Sequence, residues 1–248
     1  MTADEKTELA RFLDLSLDTL SSGFGNRVTG YTFSDDADPD EPAAPALPGE
    51  DSLETLAAEI QSCDACRLCK TRTQAVPGEG ATAPLVMVIG SGPGIEEEQS
   101  GRPFAGQIGE RLDSMLSAIG LSRNTNCYLS TAVKCRMPDS REPKPEETIA
   151  CAAFLQRQIQ LLNPRMILCV GRTAAQSLLR TSGEIDSLRG KINKIRIGIS
   201  VYPVAVTYHP DDLWKNTELK RPAWEDLKMA KAWLDANTAA GCAGTEDA

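Results

Sequence analysis

The sequence predicts an α/β fold, a three-layer αβα sandwich around a mostly parallel central sheet of about four strands. Short apolar runs alternate along the chain with segments whose apolar residues recur at helical spacing, and this alternation is typical of a parallel sheet covered on both faces. The chain has 248 residues, of which 41% are hydrophobic. That is enough to build one sizeable packed core.

The strands and helices can be placed in order along the chain. Strands are predicted at residues 85–89, 128–133, 166–170 and 201–206, and helices at 108–119, 149–162, 173–179 and 224–234. In such sheets ligands bind beyond the carboxyl ends of the strands. Three of those ends lead into a glycine turn at 90–94, the segment Lys134-Cys135-Arg136 and the segment Tyr208-His209-Pro210. The polar features of the chain are therefore expected to meet at one rim of the sheet.

Composition divides the chain into four segments. Residues 24–55 are rich in Asp, Pro, Gly and Ala and read as an acidic, disordered linker. Residues 1–23 carry apolar side chains at helical spacing and predict a short amphipathic helix, which either packs on its own body or docks a protein partner. The α/β domain is expected at 56–237, and a disordered tail at 238–248.

Charge and hydropathy bound the class of protein. No apolar run is long enough to span a bilayer and no signal peptide is recognisable, so a cytoplasmic monomer without membrane contact is expected. Residues 1–55 hold 13 acidic and 3 basic residues, a net charge of −10, whereas the whole chain has a net charge of −9. The remainder is therefore close to neutral, and DNA remains open as a partner.

Four cysteines fall into two pairs that suit a metal centre. Cys63 and Cys66 have C-x-x-C spacing, while Cys135 follows the second strand and Cys151 lies on the next helix. Two such pairs can form a four-thiolate site for zinc or for a four-iron cluster, and thiolate softness does not separate these two groups. In a reducing compartment, these cysteines are expected to bind a metal rather than to form disulfides.

The other four cysteines fit other roles. Cys127 and Cys169 fall in predicted strands and are expected in the core, and Cys242 lies in the polar tail. Cys69 has the spacing of a ligand, but a fifth thiolate is not needed.

Several ordered motifs resemble the family 4 uracil-DNA glycosylases. The motifs are Gly90-Ser91-Gly92-Pro93-Gly94, Glu96-Glu97-Glu98, Gly101-Arg102-Pro103-Phe104-Ala105-Gly106, Val133-Lys134-Cys135-Arg136-x-Pro138, His209-Pro210 and Arg221-Pro222-x-Trp224. The resemblance covers about residues 56–236. It implies a 4Fe-4S cluster on Cys63, Cys66, Cys135 and Cys151, which selects iron over zinc. It also implies a DNA repair hydrolase that flips uracil, or a related deaminated base, out of single- or double-stranded DNA and hydrolyses its N-glycosidic bond.

The resemblance also assigns roles to residues at the rim. Phe104 is expected to stack on the base, and the glycine turn at Gly92 to let backbone amides approach it. His209 is expected to stabilise the negative charge that develops on the uracil oxygen, and Glu97 to orient the attacking water.

Two positions in the base site depart from the family pattern. Ser91 replaces the usual carboxylate, and Thr131 replaces an asparagine whose amide would read the base edge. Weaker or altered base selection is therefore expected.

Basic residues around the motifs predict a phosphate-binding track made by Lys134, Arg136, Arg141 and Arg221. The alternative function is a DNA-binding or adaptor protein with reduced catalysis on the same iron–sulfur fold. A third reading, a redox protein, depends only on the surplus Cys69.

Overall fold

The computed structural model describes residues 52–239. Residues 1–51 and 240–248, which contain the expected N-terminal helix, most of the expected linker and most of the expected tail, lie outside the described residues. The described secondary structure extends slightly beyond the predicted domain bounds at both ends. Its first helix begins at Leu53, inside the expected linker, and its last helix runs to Ala239. No helix in the described part is long and apolar enough to cross a bilayer.

The described helices surround the sheet and connect its strands. They are α1 (Leu53–Ser62), α2 (Ile95–Ser100), α3 (Gly106–Ser117), α4 (Pro145–Leu162), α5 (Arg172–Leu179), α6 (Ile185–Leu188), α7 (Pro210–Lys215) and α8 (Lys220–Ala239). Short 3₁₀ turns occur at Arg67–Lys70, Pro138–Ser140 and Thr217–Leu219. Helix α4 begins with Pro145, where the missing N–H costs nothing, and its C-cap residue Asn163 adopts the left-handed conformation.

Six strands form a single mixed sheet. They are β1 (Glu79–Gly80), β2 (Val86–Gly90), β3 (Cys127–Thr131), β4 (Met166–Val170), β5 (Asn193–Ile197) and β6 (Ser200–Thr207), in the spatial order β1-β3-β2-β4-β6-β5. The four predicted strands are confirmed as the parallel centre, β3-β2-β4-β6. The sheet is larger than the predicted four strands because β1 and β5 add one antiparallel strand at each edge.

Both faces of the sheet are covered, as the three-layer prediction requires. On one face, Val86 and Val88 of β2 pack with Leu112 of α3 and Leu227 of α8. On the other face, the alternate residues Met87 and Ile89 pack with apolar residues of α4 and α5, namely Leu155, Ile159, Ala174 and Leu178. Cys127 and Cys169 are buried in these cores, as predicted. The layers leave the carboxyl ends of the parallel strands open as one rim.

Candidate active site

A cavity of about 580 Å³ lies at this rim and is lined by the segments that follow β2, β3, β4 and β6. Its walls include most of the side chains that the sequence singled out, namely Ser91, Gly92, Glu97, Phe104, Thr131, Arg136, Arg141 and His209. We call this cavity the rim pocket. Its volume is within the range of small-molecule sites.

Phe104 lines the rim pocket, and its backbone is strained. Its φ of 52° lies in the left-handed region, which a bulky residue rarely adopts. Its carbonyl oxygen accepts a 3.1 Å hydrogen bond from the guanidinium of Arg123. Gly90 makes room for the ring, since a Cβ at Gly90 would come within 2.6 Å of Phe104 Cζ. The Phe104 ring is therefore fixed against the end of β2 and faces His209, with a ring-centroid distance of 6.3 Å and an interplanar angle of 29°.

Glu97 joins the glycine turn to the Phe104 segment. Its carboxylate accepts hydrogen bonds from the backbone N–H of Gly94 at 2.9 Å and from that of Ala105 at 3.0 Å. The side chain is buried. Both oxygens therefore have a backbone partner, and each keeps a second lone pair that can face the rim pocket.

His209 is the N-cap residue of α7, and this position orients its ring. Its Nδ1 accepts a 3.3 Å hydrogen bond from the backbone N–H of Asp211. Burial lowers the pKa of His209 below its usual value, and the carboxylates of Asp212, Asp211 and Glu97 oppose that shift. A neutral ring whose Nδ1 is the acceptor carries its proton on Nε2. His209 therefore presents a neutral N–H donor at the rim pocket.

Thr131 ends β3 beside the turn, paired with Gly90 of β2. Its side chain is buried, and its hydroxyl oxygen finds no hydrogen-bond partner among the described residues. Leaving a buried hydroxyl unpaired costs about 1–3 kcal/mol. The wall of the rim pocket thus contains a buried hydroxyl without a partner, at the position where the sequence departs from the family pattern.

The glycine turn lies next to Thr131 and approaches the opposite wall closely. A Cβ at Gly92 would lie 2.7 Å from Met137 Cε, so this position tolerates no larger residue without movement of Met137. Ser91 also lines the rim pocket, and its carbonyl oxygen accepts a 3.0 Å hydrogen bond from Val133 N–H.

The expectation that Lys134 contacts DNA is wrong. Its side chain is 1% exposed, and its ammonium donates to Ser130 Oγ, Thr131 O and Gln158 Oε1 at 2.5, 2.8 and 2.7 Å. Burial lowers its pKa to about 8. An ammonium with three buried acceptors has no donor left for a phosphate.

The three predicted arginines remain at the surface. Arg136 and Arg141 line the rim pocket, but each is paired with a carboxylate, with Glu98 at 2.6 Å and with Glu147 at 2.6 Å. Arg221 is exposed on the first turn of α8 and does not line the rim pocket.

The four paired cysteines line a second, smaller cavity together. Cys63, Cys66, Cys135 and Cys151 face it among apolar neighbours, and Cys69 does not. Two N–H groups already point at the sulfurs, from Arg72 Nη1 to Cys135 Sγ at 3.0 Å and from Lys134 N to Cys151 Sγ at 3.3 Å. We call this cavity the cysteine site.

The cysteine site brings four thiols to one cavity, the number that a thiolate-bound metal centre uses. No group of three or more Cys, His, Asp or Glu side chains in residues 52–239 meets the geometry for one metal ion. A tetrahedral zinc needs all its sulfurs within about 2.3 Å of one centre, whereas an iron–sulfur cubane binds one thiolate at each corner. Burial raises the pKa of Cys151 to about 11 and also raises that of Cys135. Thiolates at these positions therefore require a bound cation, and metal binding would release protons.

Further residues that the sequence reading missed follow β4. Gly171, Arg172 and Thr173 line the rim pocket directly after Val170. Gly171 has a φ of 95°, and a Cβ at this position would lie 3.2 Å from His209 Cβ. The rule that places sites at strand ends applied equally to the third predicted strand and would have found them.

This chain is similar to known proteins over the region that carries most of these motifs. Residues 77–228 match the uracil DNA glycosylase superfamily. The type-4 uracil-DNA glycosylase of Sulfurisphaera tokodaii is 37% identical over 186 residues, which cover 73% of this chain and 84% of that protein. That of Pyrobaculum aerophilum is 36% identical, with 71% and 92% covered, and that of Thermotoga maritima is 36% identical, with 75% and 96% covered.

Proposed function

This chain belongs to the uracil DNA glycosylase superfamily, in its type-4 group, and on that premise we propose that it removes uracil from DNA by hydrolysing the N-glycosidic bond. The observation that carries the proposal is the pairing of Phe104 and His209 across the rim pocket, 6.3 Å between ring centroids. One ring offers a stacking face and the other a neutral N–H donor. A flipped base requires both kinds of contact.

His209 is proposed to stabilise the charge on the leaving base. As the glycosidic bond breaks, negative charge develops on the uracil ring and its carbonyl oxygens. The Nε2–H of His209 can donate to such an oxygen because Nδ1 is occupied by the N–H of Asp211. A preorganised donor in a partly desolvated site stabilises the transition state more than the ground state.

Phe104 and Thr131 are proposed to hold the base. The backbone of Phe104 is held by the 3.1 Å bond from Arg123 to its carbonyl and its ring packs against Gly90, so stacking costs little ordering entropy. The unpaired hydroxyl of Thr131 can take a hydrogen bond from, or give one to, the edge of the base. A single hydroxyl cannot form the two-atom contact of an amide, so weaker selection of uracil over related deaminated bases is part of the proposal.

Glu97 is proposed to position the glycine turn and, through its remaining lone pairs, the attacking water. Its bonds to Gly94 N–H and Ala105 N–H fix the carboxylate between the turn and the stacking residue. A hydrolytic step needs a water held on the sugar side of the base, and a carboxylate can accept its proton.

The cysteine site is proposed to hold a 4Fe-4S cluster on Cys63, Cys66, Cys135 and Cys151. When bound, the cluster would cross-link the segment after α1, the loop after β3 and helix α4, which carry these four residues. Base excision by hydrolysis transfers no electrons, so the role proposed for the cluster is to organise these loops beside the rim pocket.

Single-turnover excision on a uracil-containing oligonucleotide, with the full chain in excess, tests the proposed function. Release of uracil, with no release from the matched thymine oligonucleotide, is expected. Retention of DNA binding without base release would favour the alternative, a DNA-binding protein with reduced catalysis. The departures from the family pattern at Ser91 and Thr131 support that alternative.

A further inference from the structure

A third cavity, next to the rim pocket, exposes two of the chain's three tryptophans. It has a volume of about 470 Å³ and lies between α3, α7 and α8, lined among others by Arg111, Leu213, Trp214, Lys220 and Trp224. We call it the tryptophan groove. Trp214 is 68% exposed and Trp224 41%. Such large exposed indoles in one concave patch are uncommon on a surface that binds nothing.

The charges of the tryptophan groove are all of one sign. Two basic side chains line it and no acidic one does. The guanidinium of Arg111 lies 4.4 Å from the ring centroid of Trp214. Neither Arg111, Lys220 nor the adjacent Arg221 forms an ion pair within residues 52–239. A flat aromatic face next to unpaired cations complements a nucleobase and its phosphate, and does not complement a basic partner.

The tryptophan groove and the rim pocket share their walls. Helix α3 contributes Ile108 to the rim pocket and, one helical turn later, Arg111 to the groove. Helix α7 begins at its cap His209 in the rim pocket and contributes Leu213 and Trp214 to the groove. The two cavities are therefore neighbours along both helices.

We propose that the tryptophan groove binds the nucleotide next to the excised base on an unpaired DNA strand. The neighbouring base stacks on the exposed face of Trp214, while Arg111, Lys220 and Arg221 contact the phosphates. A base inside a duplex has both faces covered by its neighbours, so an indole can stack only on an unpaired one. The inference rests on the proposed function for the position of the excised base, and it predicts a preference for single strands over duplex.

Equilibrium binding to uracil-free DNA tests this inference apart from catalysis. The full chain is titrated into a labelled single strand of about 15 nucleotides, within the site sizes of single-strand binders, and into the matching duplex. Trp214→Ala is expected to raise the single-strand Kd about tenfold and to change the duplex Kd by less than about twofold, as one lost base–aromatic stack implies. Trp214→Phe, which keeps an aromatic face, should restore most of the affinity.

Two further variants control the measurement. Ile199→Ala removes a 97% exposed apolar side chain at the β5–β6 turn, outside the groove, and should leave both Kd values unchanged. Lys220→Gln should lower the salt dependence of single-strand binding by about one phosphate contact. Trp214 is exposed, so neither substitution at that position removes a core residue.

An unchanged single-strand Kd for Trp214→Ala would overturn the inference. It would equally be overturned if Trp214→Ala abolished a self-association seen by sedimentation and left DNA binding intact, because the groove would then be a contact between copies. The DNA in this experiment contains no uracil, so the two proposals can fail separately. A chain that excises nothing but loses single-strand affinity in Trp214→Ala would contradict the proposed function and leave the groove assignment standing.

Discussion

The ammonium of Lys134 donates a 2.8 Å hydrogen bond to the backbone carbonyl of Thr131, and the backbone N–H of the same lysine lies 3.3 Å from Cys151 Sγ. One buried residue therefore contacts both the end of β3 that lines the rim pocket and a proposed ligand of the cluster. The cysteine site and the rim pocket are neighbours joined by this lysine.

Lys134→Met is expected to destabilise the fold and slow excision. Removing the ammonium deletes three buried hydrogen bonds, to Ser130 Oγ, Thr131 O and Gln158 Oε1, of which Gln158 Oε1 alone keeps another side-chain donor, Ser130 Oγ; the loss costs about 3 kcal/mol in the free energy of unfolding. Urea unfolding measures this loss, and Lys194→Met, at an exposed position on the edge strand β5, is the control. A Lys134→Met protein as stable as the wild type would show that these bonds contribute nothing.

Thr131 can be tested with two substitutions that act in opposite directions. Thr131→Val replaces the unpaired buried hydroxyl with a methyl group, so the free energy of unfolding should rise by about 1–2 kcal/mol while uracil excision weakens. Thr131→Asn supplies an amide that can pair with the base edge and should increase uracil excision over hypoxanthine and xanthine by one to two decades, as about 1–3 kcal/mol of base discrimination implies. If the wild type excises uracil rapidly and specifically, and Thr131→Asn changes neither the rate nor the specificity, residues other than Thr131 read the base.

The cluster prediction concerns metal content rather than rate. Anaerobically purified protein should be brown and contain about four iron atoms per chain, as a four-thiolate cubane requires. Cys151→Ala should lose most of this iron, whereas Cys69→Ala, whose side chain does not line the cysteine site, should keep it. Stoichiometric zinc without iron, or equal iron loss in both variants, would contradict the assignment.

The stability of the protein should depend on pH through one histidine. Burial lowers the pKa of His209 in the folded state, so between its unfolded value of about 6.5 and its folded value the unfolded chain binds more protons. This contribution to stability is complete above about pH 6.5 and is lost as the pH falls toward the folded pKa, with a slope of at most about 1.4 kcal/mol per pH unit.

His209→Asn should remove that dependence, because the chain contains a single histidine. Asparagine can also cap α7, so the helix start is kept. Urea unfolding of both proteins between about pH 7.5 and 5.5 is the measurement. A wild type and a variant with the same slope over this range would show that His209 is not buried in its neutral form.

The sequence predicted the parallel centre of the sheet because its strands are continuous apolar runs, as at Met166–Val170. It missed β5 because Asn-Lys-Ile-Arg-Ile is a half-buried edge strand with charged residues on its outer face, a weak apolar signal. β1 has only two residues and forms through its pairing with β3, which no local pattern encodes. Edge strands thus depend on tertiary pairing more than on their own composition.

Within the candidate site, it was easier to predict which side chains reach the rim pocket than how each one is buried and hydrogen-bonded. The strand-end rule brought Phe104, Thr131 and His209 to one pocket. The burial of Lys134 was not predictable from its neighbours Cys135 and Arg136, because it depends on Ser130 and Gln158 packing around the ammonium. The unpaired hydroxyl of Thr131 likewise emerges only from the packing of the rim pocket.

The donor role of His209 is central to the proposed chemistry, and one paired measurement tests it. Single-turnover excision rates and equilibrium Kd values are determined for wild type and His209→Ala on the same uracil-containing single strand. The wild type should release uracil, and the variant should be about 10²–10³-fold slower with a Kd within about threefold of wild type, because the charge that the Nε2–H stabilises exists mainly in the transition state. A wild type that releases no uracil, or a variant that loses affinity as much as rate, would contradict this role.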